Sequence, residues 1–431
     1  FAPAEPYGMV CVEGPGVFVW LGLGLIVIFA SERFQRPSHD LPWATTPPRG
    51  FPQKEYESRV QRTQVLMATE NISALLLTTE PDFRYFTGYL SLFWTSPTRP
   101  WFLIVPAKGK PIAVVPSIGE AALKKSWLDD VRVWPAPRPK DDGVTLVAAA
   151  LRETLKVVQG RIGVPMGHES HVRMPATDFD HLRKLLSDTP FVDARHIIRR
   201  IQAVKSEAEI DKIRYAAQVM SRGYHGLRSQ LAAGVTERAA CRWLRREFLA
   251  QGADTVPFMI ASADQGGYDN IILGPTDRPL AHGDVLIIDS GATFDGYFAD
   301  FNRNWAVGTR DADFQRAFDV VINATQAGFH AARPGVTFSK VWAVMWDVLR
   351  EGGALGNDVG RLGHAVGMQL TEWPSFMEGE DVLLEHGMVV TLEPGMSFAP
   401  GRMVVHEEDI VVRNEGNEWL SQKHMSNVPV V

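Results

Sequence analysis

The chain has 431 residues, 45% hydrophobic and 22% charged, which makes it an ordinary globular protein with room for two or three domains and excludes the disordered and fibrous classes. Lys and Arg total 44 against 50 Asp and Glu, a net charge of −6, so nothing provides an electrostatic grip on phosphate backbones and nucleic acid is not an expected partner. Two cysteines, Cys11 and Cys241, are too few for a disulfide framework or a thiolate zinc site; they read as free thiols in a reducing compartment, hence a cytoplasmic location.

Residues 1–50 read as an appendage ending in the Pro-rich linker SHDLPWATTPPRG. Its apolar run from Val17 to Ala30 has 14 residues, short of the roughly 18 to 20 needed for a membrane span. A secretory signal wants basic residues ahead of such a run, where this chain has only Glu5 and Glu13. A weak membrane anchor is the competing reading of this segment.

From Phe51 the pattern is regular. A helical stretch (EYESRVQRTQVLMATEN) leads into strand-like ISALLLT, the motif DFRYFTGY, and strand-like WFLIVPA, PIAVVP and VRVWPA. The helical VTLVAAALRETLKVV, the strand RIGVPMG, a helix near 176 to 187 and the segment FVDARHIIRRIQ complete an α/β domain over residues 51–200. Ser206 and Glu209 then form a capping box at the start of a long helix, which opens a second domain over residues 201–431. Within it Gly234-Val235-Thr236 and Gly335-Val336-Thr337, 101 residues apart, each precede an amphipathic helix that ends at glycine. The pair suggests a duplicated α/β half, although two unrelated capped helices give the same pattern.

The chemistry sits where acids interrupt apolar strands. Asp289 follows VLII, and Asp300 lies on the return strand after the turn signal Asp295-Gly296. If that pair makes a two-residue hairpin turn, Asp300 faces Gly291, and Asp289 becomes its diagonal neighbour on one face. Two carboxylates held so in an apolar setting must share a proton or a cation. His364 in LGHAVGMQLTEWP, Glu393 in TLEPGM and Glu408 in VVHEEDIVV follow, and the strand period puts His406 and Glu408 on one face with Glu407 opposite. Singly, each is an ordinary loop acid or structural histidine. Together, four carboxylates and one imidazole form an oxygen-rich set with one nitrogen, suited to Mn²⁺ and able to take Co²⁺, Zn²⁺ or Fe²⁺. Five ligands are more than one catalytic ion needs, so two divalent ions are expected.

The order of Asp, a second Asp eleven residues on, GHxxGM, LEPGM and a strand carrying Glu-Asp resembles peptidase family M24, the methionine aminopeptidase, aminopeptidase P, prolidase and creatinase family. KSEAEIDKIRYAA resembles its inter-domain helix and DFRYFTGY a motif of its N-terminal domain, so the likeness runs from about residue 55 to 431. It implies an α/β (α+β) chain: a small creatinase/prolidase-type domain, then a pita-bread catalytic domain, in a homodimer. It further implies that Asp289, Asp300, His364, Glu393 and Glu408 hold the metals, that Glu393 also relays protons, and that the reaction is hydrolysis of a small peptide or peptide-like amide of Xaa-Pro type.

The family's two further imidazoles are absent. Thr371 stands seven residues after His364, and GGYDNIILGPTDRPL holds no histidine, leaving Asn270 or Asp269 as substitutes. His406 stands where an arginine is common, two residues before the last glutamate on this assignment. Glu393, His406 and Thr371 are therefore the candidate catalytic residues, and Arg99 and Trp373 candidate substrate contacts. These departures keep open a same-fold lyase of the dimethylsulfoniopropionate type, a creatinase-like amidinohydrolase, or a non-catalytic binding module.

Overall fold

The computed structural model describes residues 45–356, 360–422 and 427–431. Cys11 and the apolar run 17–30 lie outside them, and no helix among the described residues is long and apolar enough to cross a membrane.

The N-terminal domain alternates as the sequence suggests: α1 (Gln53–Thr69), β1 (Ile72–Leu77), α2 (Glu80–Thr87), β2 (Phe102–Pro106), β3 (Ile112–Pro116), a short α3 (Glu120–Leu123), β4 (Asp130–Trp134), α4 (Val144–Val157), β5 (Arg161–Val164), α5 (Ala176–Leu185), β6 (Phe191–Asp193) and α6 (Arg195–Ala203). The strands form one mixed sheet in the order β4-β3-β2-β1-β5-β6. Central β1, apolar but for Ser73, is wholly buried, because helices cover both faces of the sheet. The motif DFRYFTGY is helix α2, stopped by Gly88 in the left-handed conformation at φ 71°.

The catalytic domain opens with α7 (Glu207–Leu227), whose capping box is complete: Ser206 Oγ accepts from the Glu209 N–H, and the Glu209 carboxylate accepts from the Ser206 N–H. Then come α8 (Glu237–Gln251), the antiparallel strands β7 (Thr255–Gln265), β8 (Asp284–Phe294) and β9 (Tyr297–Ala306), and α9 (Ala312–Ala331) and α10 (Phe338–Glu351). Strands β10 (His364–Ala365), β11 (Glu372–Ser375), β12 (Val389–Leu392), β13 (Gly395–Ala399), β14 (Arg402–Val405), β15 (Glu408–Val411) and β16 (Glu418–Trp419) complete it. Five of them form a sheet in the order β11-β10-β12-β15-β16.

The repeat suggested by the two GVT segments extends to individual hydrogen bonds. Thr236 caps α8 through the Ala239 N–H, and Thr337 caps α10 through the Lys340 N–H, both at 3.1 Å. Gly234 N–H donates to the Leu280 carbonyl and Gly335 N–H to that of Leu384, each at 2.8 Å; in return Leu280 and Leu384 donate to Val235 and Val336. The strands that follow match as well: Leu280-Ala-His-Gly leads to Asp289, and Leu384-Glu-His-Gly to Glu393, at the same spacing. The two glycines, Gly283 at φ 91° and Gly387 at φ 87°, turn the chain where a side chain would be strained.

Charged side chains join the two domains. Arg59 of α1, wholly buried, pairs with Glu209 of α7 at 3.2 Å, and its guanidinium donates to the Tyr85 carbonyl at 2.8 Å. Asp295, in the turn between β8 and β9, takes Lys212 at 2.5 Å, Arg84 at 2.8 Å and the Gly50 N–H at 2.7 Å, so the end of the Pro-rich segment is tied to the catalytic domain.

Replacing Thr337 with Ala should cost about 1 kcal/mol of stability in urea denaturation, the usual value of a lost N-cap, while Thr337→Ser should restore it. An unchanged midpoint for Thr337→Ala would refute this role.

Candidate metal centre

The hairpin forms as its turn signal requires. Asp295 and Gly296 have φ of 49° and 83°, both positive as in a type I′ turn, and Asp300 faces Gly291. Asp289 sits two pairs further along, opposite Asn302, and on the other side faces Ile260 of β7. Both aspartates are buried.

The second sheet supplies the rest. Strand β12 runs antiparallel to β15, with Thr391 facing Asp409 and Leu392 facing Glu408. One step further in that register, Glu393 stands across from Glu407. Thr391 also accepts the His364 N–H at 3.1 Å, which fixes β10 beside β12. The His364 Nδ1 lies 2.9 Å from the Ala365 carbonyl, so Nδ1 carries the hydrogen and Nε2 keeps its lone pair. That Nε2 lies 3.8 Å from Asp300 Oδ2 and 4.0 Å from Glu407 Oε1. Asp300, His364 and Glu407 each offer a ligand atom within 4.8 Å of the others. Glu407 neighbours Asp289, and Glu393 lies within the field of Asp289.

Burial and mutual repulsion set the protonation of this group. Burial raises Asp289 to about 7, and burial with the charge of Asp289 raises Glu393 to about 8. Asp300 and Glu407 are pushed well above the carboxylate range by burial and then by their acidic neighbours. Burial lowers His364 to about 3, leaving a neutral imidazole. Asp289 Oδ1, Asp300 Oδ1 and Glu407 Oε1 are buried with no hydrogen-bond partner, a costly state for carboxylate oxygens unless a cation completes them. The set fits a divalent metal centre: hard oxygens, one imidazole nitrogen, and a histidine oriented through its far nitrogen.

Of the sequence candidates, Asp289, Asp300, His364 and Glu393 converge here. Glu408 and His406 do not, and Glu407 is the acid that the sequence reading missed. His406 and Glu408 do share a face, 3.1 Å apart, but it is the face turned away from the cluster. There Glu408 pairs with Arg303 at 3.0 Å and accepts the Ser421 hydroxyl; burial pushes it up, but Arg303, His406 and Ser421 together bring it to about 2. His406 packs edge-on against Phe318. Three consecutive acids, Glu407-Glu408-Asp409, made the choice ambiguous in sequence. Asp409, on the same face as Glu407, accepts the Asp300 N–H at 3.0 Å and holds that strand in place.

The other candidates lie apart from the acids. Thr371 Oγ1 accepts from Arg361 at 3.3 Å, and Trp373 and Thr371 line a cavity of about 300 Å³. Arg99 has its guanidinium over the Phe93 ring at 5.2 Å, and no contact among the described residues joins it to the cluster. Asn270 donates to Asp269 at 2.8 Å, and its carbonyl oxygen is buried without a partner.

The profile of metallopeptidase family M24 matches residues 211–414, and that of the creatinase/prolidase N-terminal domain matches residues 59–204. The chain is 31% identical over 379 residues to a probable dipeptidase PepE of Mycobacterium tuberculosis, which covers 85% of this chain and 94% of that protein. This chain belongs to metallopeptidase family M24. It is also 28% identical to a Xaa-Pro dipeptidase of Lactobacillus delbrueckii over 75% of its length and 86% of that protein's. Among solved structures, the dipeptidase PepE of Mycobacterium ulcerans superposes with a TM-score of 0.76 at 28% identity, over 88% of this chain and 99% of that one. A prolidase from Thermococcus sibiricus, at 22% identity, a TM-score of 0.77 and coverage of 87% and 98%, shares the fold. Both parts of the expected architecture, the creatinase-type domain and the pita-bread domain, are therefore present.

The two neighbouring glutamates should separate cleanly. Glu407→Gln should lose bound metal, read by elemental analysis of the purified protein, with little loss of stability. Glu408→Gln should keep its metal but lose about 3 kcal/mol or more, because it strands Arg303 without a charge partner. The opposite assignment of metal loss would overturn the site.

Proposed function

We propose that this M24 enzyme hydrolyses Xaa-Pro peptides with two divalent ions, Mn²⁺ by preference, held by Asp289, Asp300, His364, Glu393 and Glu407. The observation that carries this reading is the burial of four carboxylates around one neutral imidazole, with three carboxylate oxygens left unpartnered. The similarity to dipeptidase PepE and to a Xaa-Pro dipeptidase supports the substrate class. Such ions, when bound, activate water near neutrality and polarise an amide carbonyl.

The chain's own groups do the rest. Asp409 holds Asp300 through its N–H, and Thr391 holds His364, so two ligands are fixed by the backbone before any ion arrives. Glu393, whose affinity for a proton is already raised by burial and by Asp289, takes the proton from the attacking water and returns it to the leaving nitrogen. Where the family places imidazoles, this chain has Thr371 and the Asn270 segment, so gripping the carbonyl falls to hydroxyl and amide donors.

The Mn²⁺-loaded protein should cleave a Xaa-Pro dipeptide in a proline-release assay, and Glu393→Gln should lower kcat about 100-fold or more. Wild-type kcat in that variant would remove Glu393 from the reaction. Failure of the loaded wild type on every Xaa-Pro substrate, with turnover of a non-peptide amide or a lyase substrate instead, would replace the peptidase reading.

A further inference from the structure

The segment between His364 and β11 touches the acid hairpin. The Gly367 carbonyl accepts the Phe298 N–H at 2.7 Å, two residues before Asp300 on β9. The Leu370 side chain lies over Gly291, in the space that a Cβ there would take, and Gly291 is the residue opposite Asp300. Further on, Gln369, Thr371, Glu372 and Trp373 line the cavity of about 300 Å³. The path of this segment therefore decides which groups the cavity presents.

One carboxylate holds that path. Glu372 reaches back from the start of β11, and its Oε1 accepts the Met368 N–H at 2.8 Å and the Gln369 N–H at 3.2 Å. The close approach leaves no room for a side chain at Gly367. The other oxygen, Oε2, accepts from Lys205 Nζ at 2.9 Å, with both side chains almost wholly buried. Lys205 is the one cation paired with Glu372 among the described residues, and the buried Asp82 of α2 is an acidic neighbour.

Lys205 belongs to the link between the two domains, one residue before the Ser206 cap of α7. Its N–H donates to the Gly387 carbonyl at 3.0 Å and Val204 pairs with Met388, which seats the link beside the start of β12, the strand that leads to Glu393. Taking two charges out of water is costly, and apolar side chains of similar volume hold a fold as well or better. They cannot present an ionised carboxylate to two N–H groups, which is what Lys205 makes possible at Glu372.

We propose that Lys205 is a positioning residue for substrate binding: it holds Glu372, and Glu372 holds residues 367–371 in the shape that receives the peptide. This rests on the peptidase reading and adds to it a residue of the inter-domain link that touches neither metal ligand nor substrate.

Two paired variants separate positioning from plain stability. Lys205→Met with Glu372→Gln removes both charges but keeps an oxygen for the two N–H groups, whereas Lys205→Met with Glu372→Met removes the oxygen as well. In the metal-loaded proteins the Met/Met pair should raise KM for a Xaa-Pro dipeptide about 10-fold or more with kcat within about twofold and metal content unchanged, the signature of lost uniform binding. The Met/Gln pair should recover most of that KM. Hydrogen exchange needs no turnover: the Met368 and Gln369 amides should exchange about 10-fold faster or more in the Met/Met pair and stay protected in the Met/Gln pair. If the Met/Met pair does not fold, the milder Lys205→Gln should move KM and exchange in the same direction by about threefold or more. Faster exchange with wild-type KM makes the contact a structural one and overturns the proposal, as does an equal KM rise in both pairs or no change in Lys205→Gln. Should the wild type turn over a different amide instead of Xaa-Pro peptides, the same order of KM on that substrate supports the positioning role and removes only the peptidase reading.

Discussion

Four carboxylates in one buried space repel each other, and that repulsion is the constraint around which the catalytic domain is organised. At an effective dielectric of about 20, two unit charges 4 Å apart interact by about 4 kcal/mol, so the group cannot stay fully ionised without cations. The raised proton affinities of Asp289, Asp300, Glu393 and Glu407 and the suppressed basicity of His364 describe a site that holds protons as stand-ins for metal. Such an arrangement persists only if the scaffold is stiff, and the backbone supplies the stiffness. The Asp300 N–H is held by Asp409 and the His364 N–H by Thr391.

The repeat explains how a single chain assembles this site. Asp289 lies within β8 and Glu393 just past β12, each preceded by a Leu-x-His-Gly turn and by a GVT-capped helix whose backbone pairs with that turn. One half then completes its acid with a tight hairpin that returns Asp300, and the other with an antiparallel strand that returns Glu407. Two copies of one unit, facing each other, bring paired acids to a common centre. The inter-domain ion pairs Arg59–Glu209 and Arg84–Asp295 fasten the first domain to α7 and to the same hairpin, so the turn residue Asp295 serves both the local geometry and the docking.

Much of this was legible in the sequence because it rests on local rules. The Asp-Gly turn fixed the register of Asp300 against Gly291, the capping box marked α7, and the GVT segments marked two equivalent helices. Glu407 was not legible in the same way. The period of two correctly paired His406 with Glu408, but which face of that strand meets the cluster depends on how β15 lies against β12, a tertiary fact.

Proton release on metal binding tests the central claim most directly. Titrating Mn²⁺ into the metal-free protein near pH 6.5, in buffers of different ionisation enthalpy, gives the number of protons displaced per ion. Carboxylates that bind protons more tightly than usual in the folded state must give them up to the metal, so the account predicts release at this pH, diminishing as the pH rises past 8. Tight binding with no protons released at pH 6.5 would mean that the acids were already ionised and apart, and would contradict it.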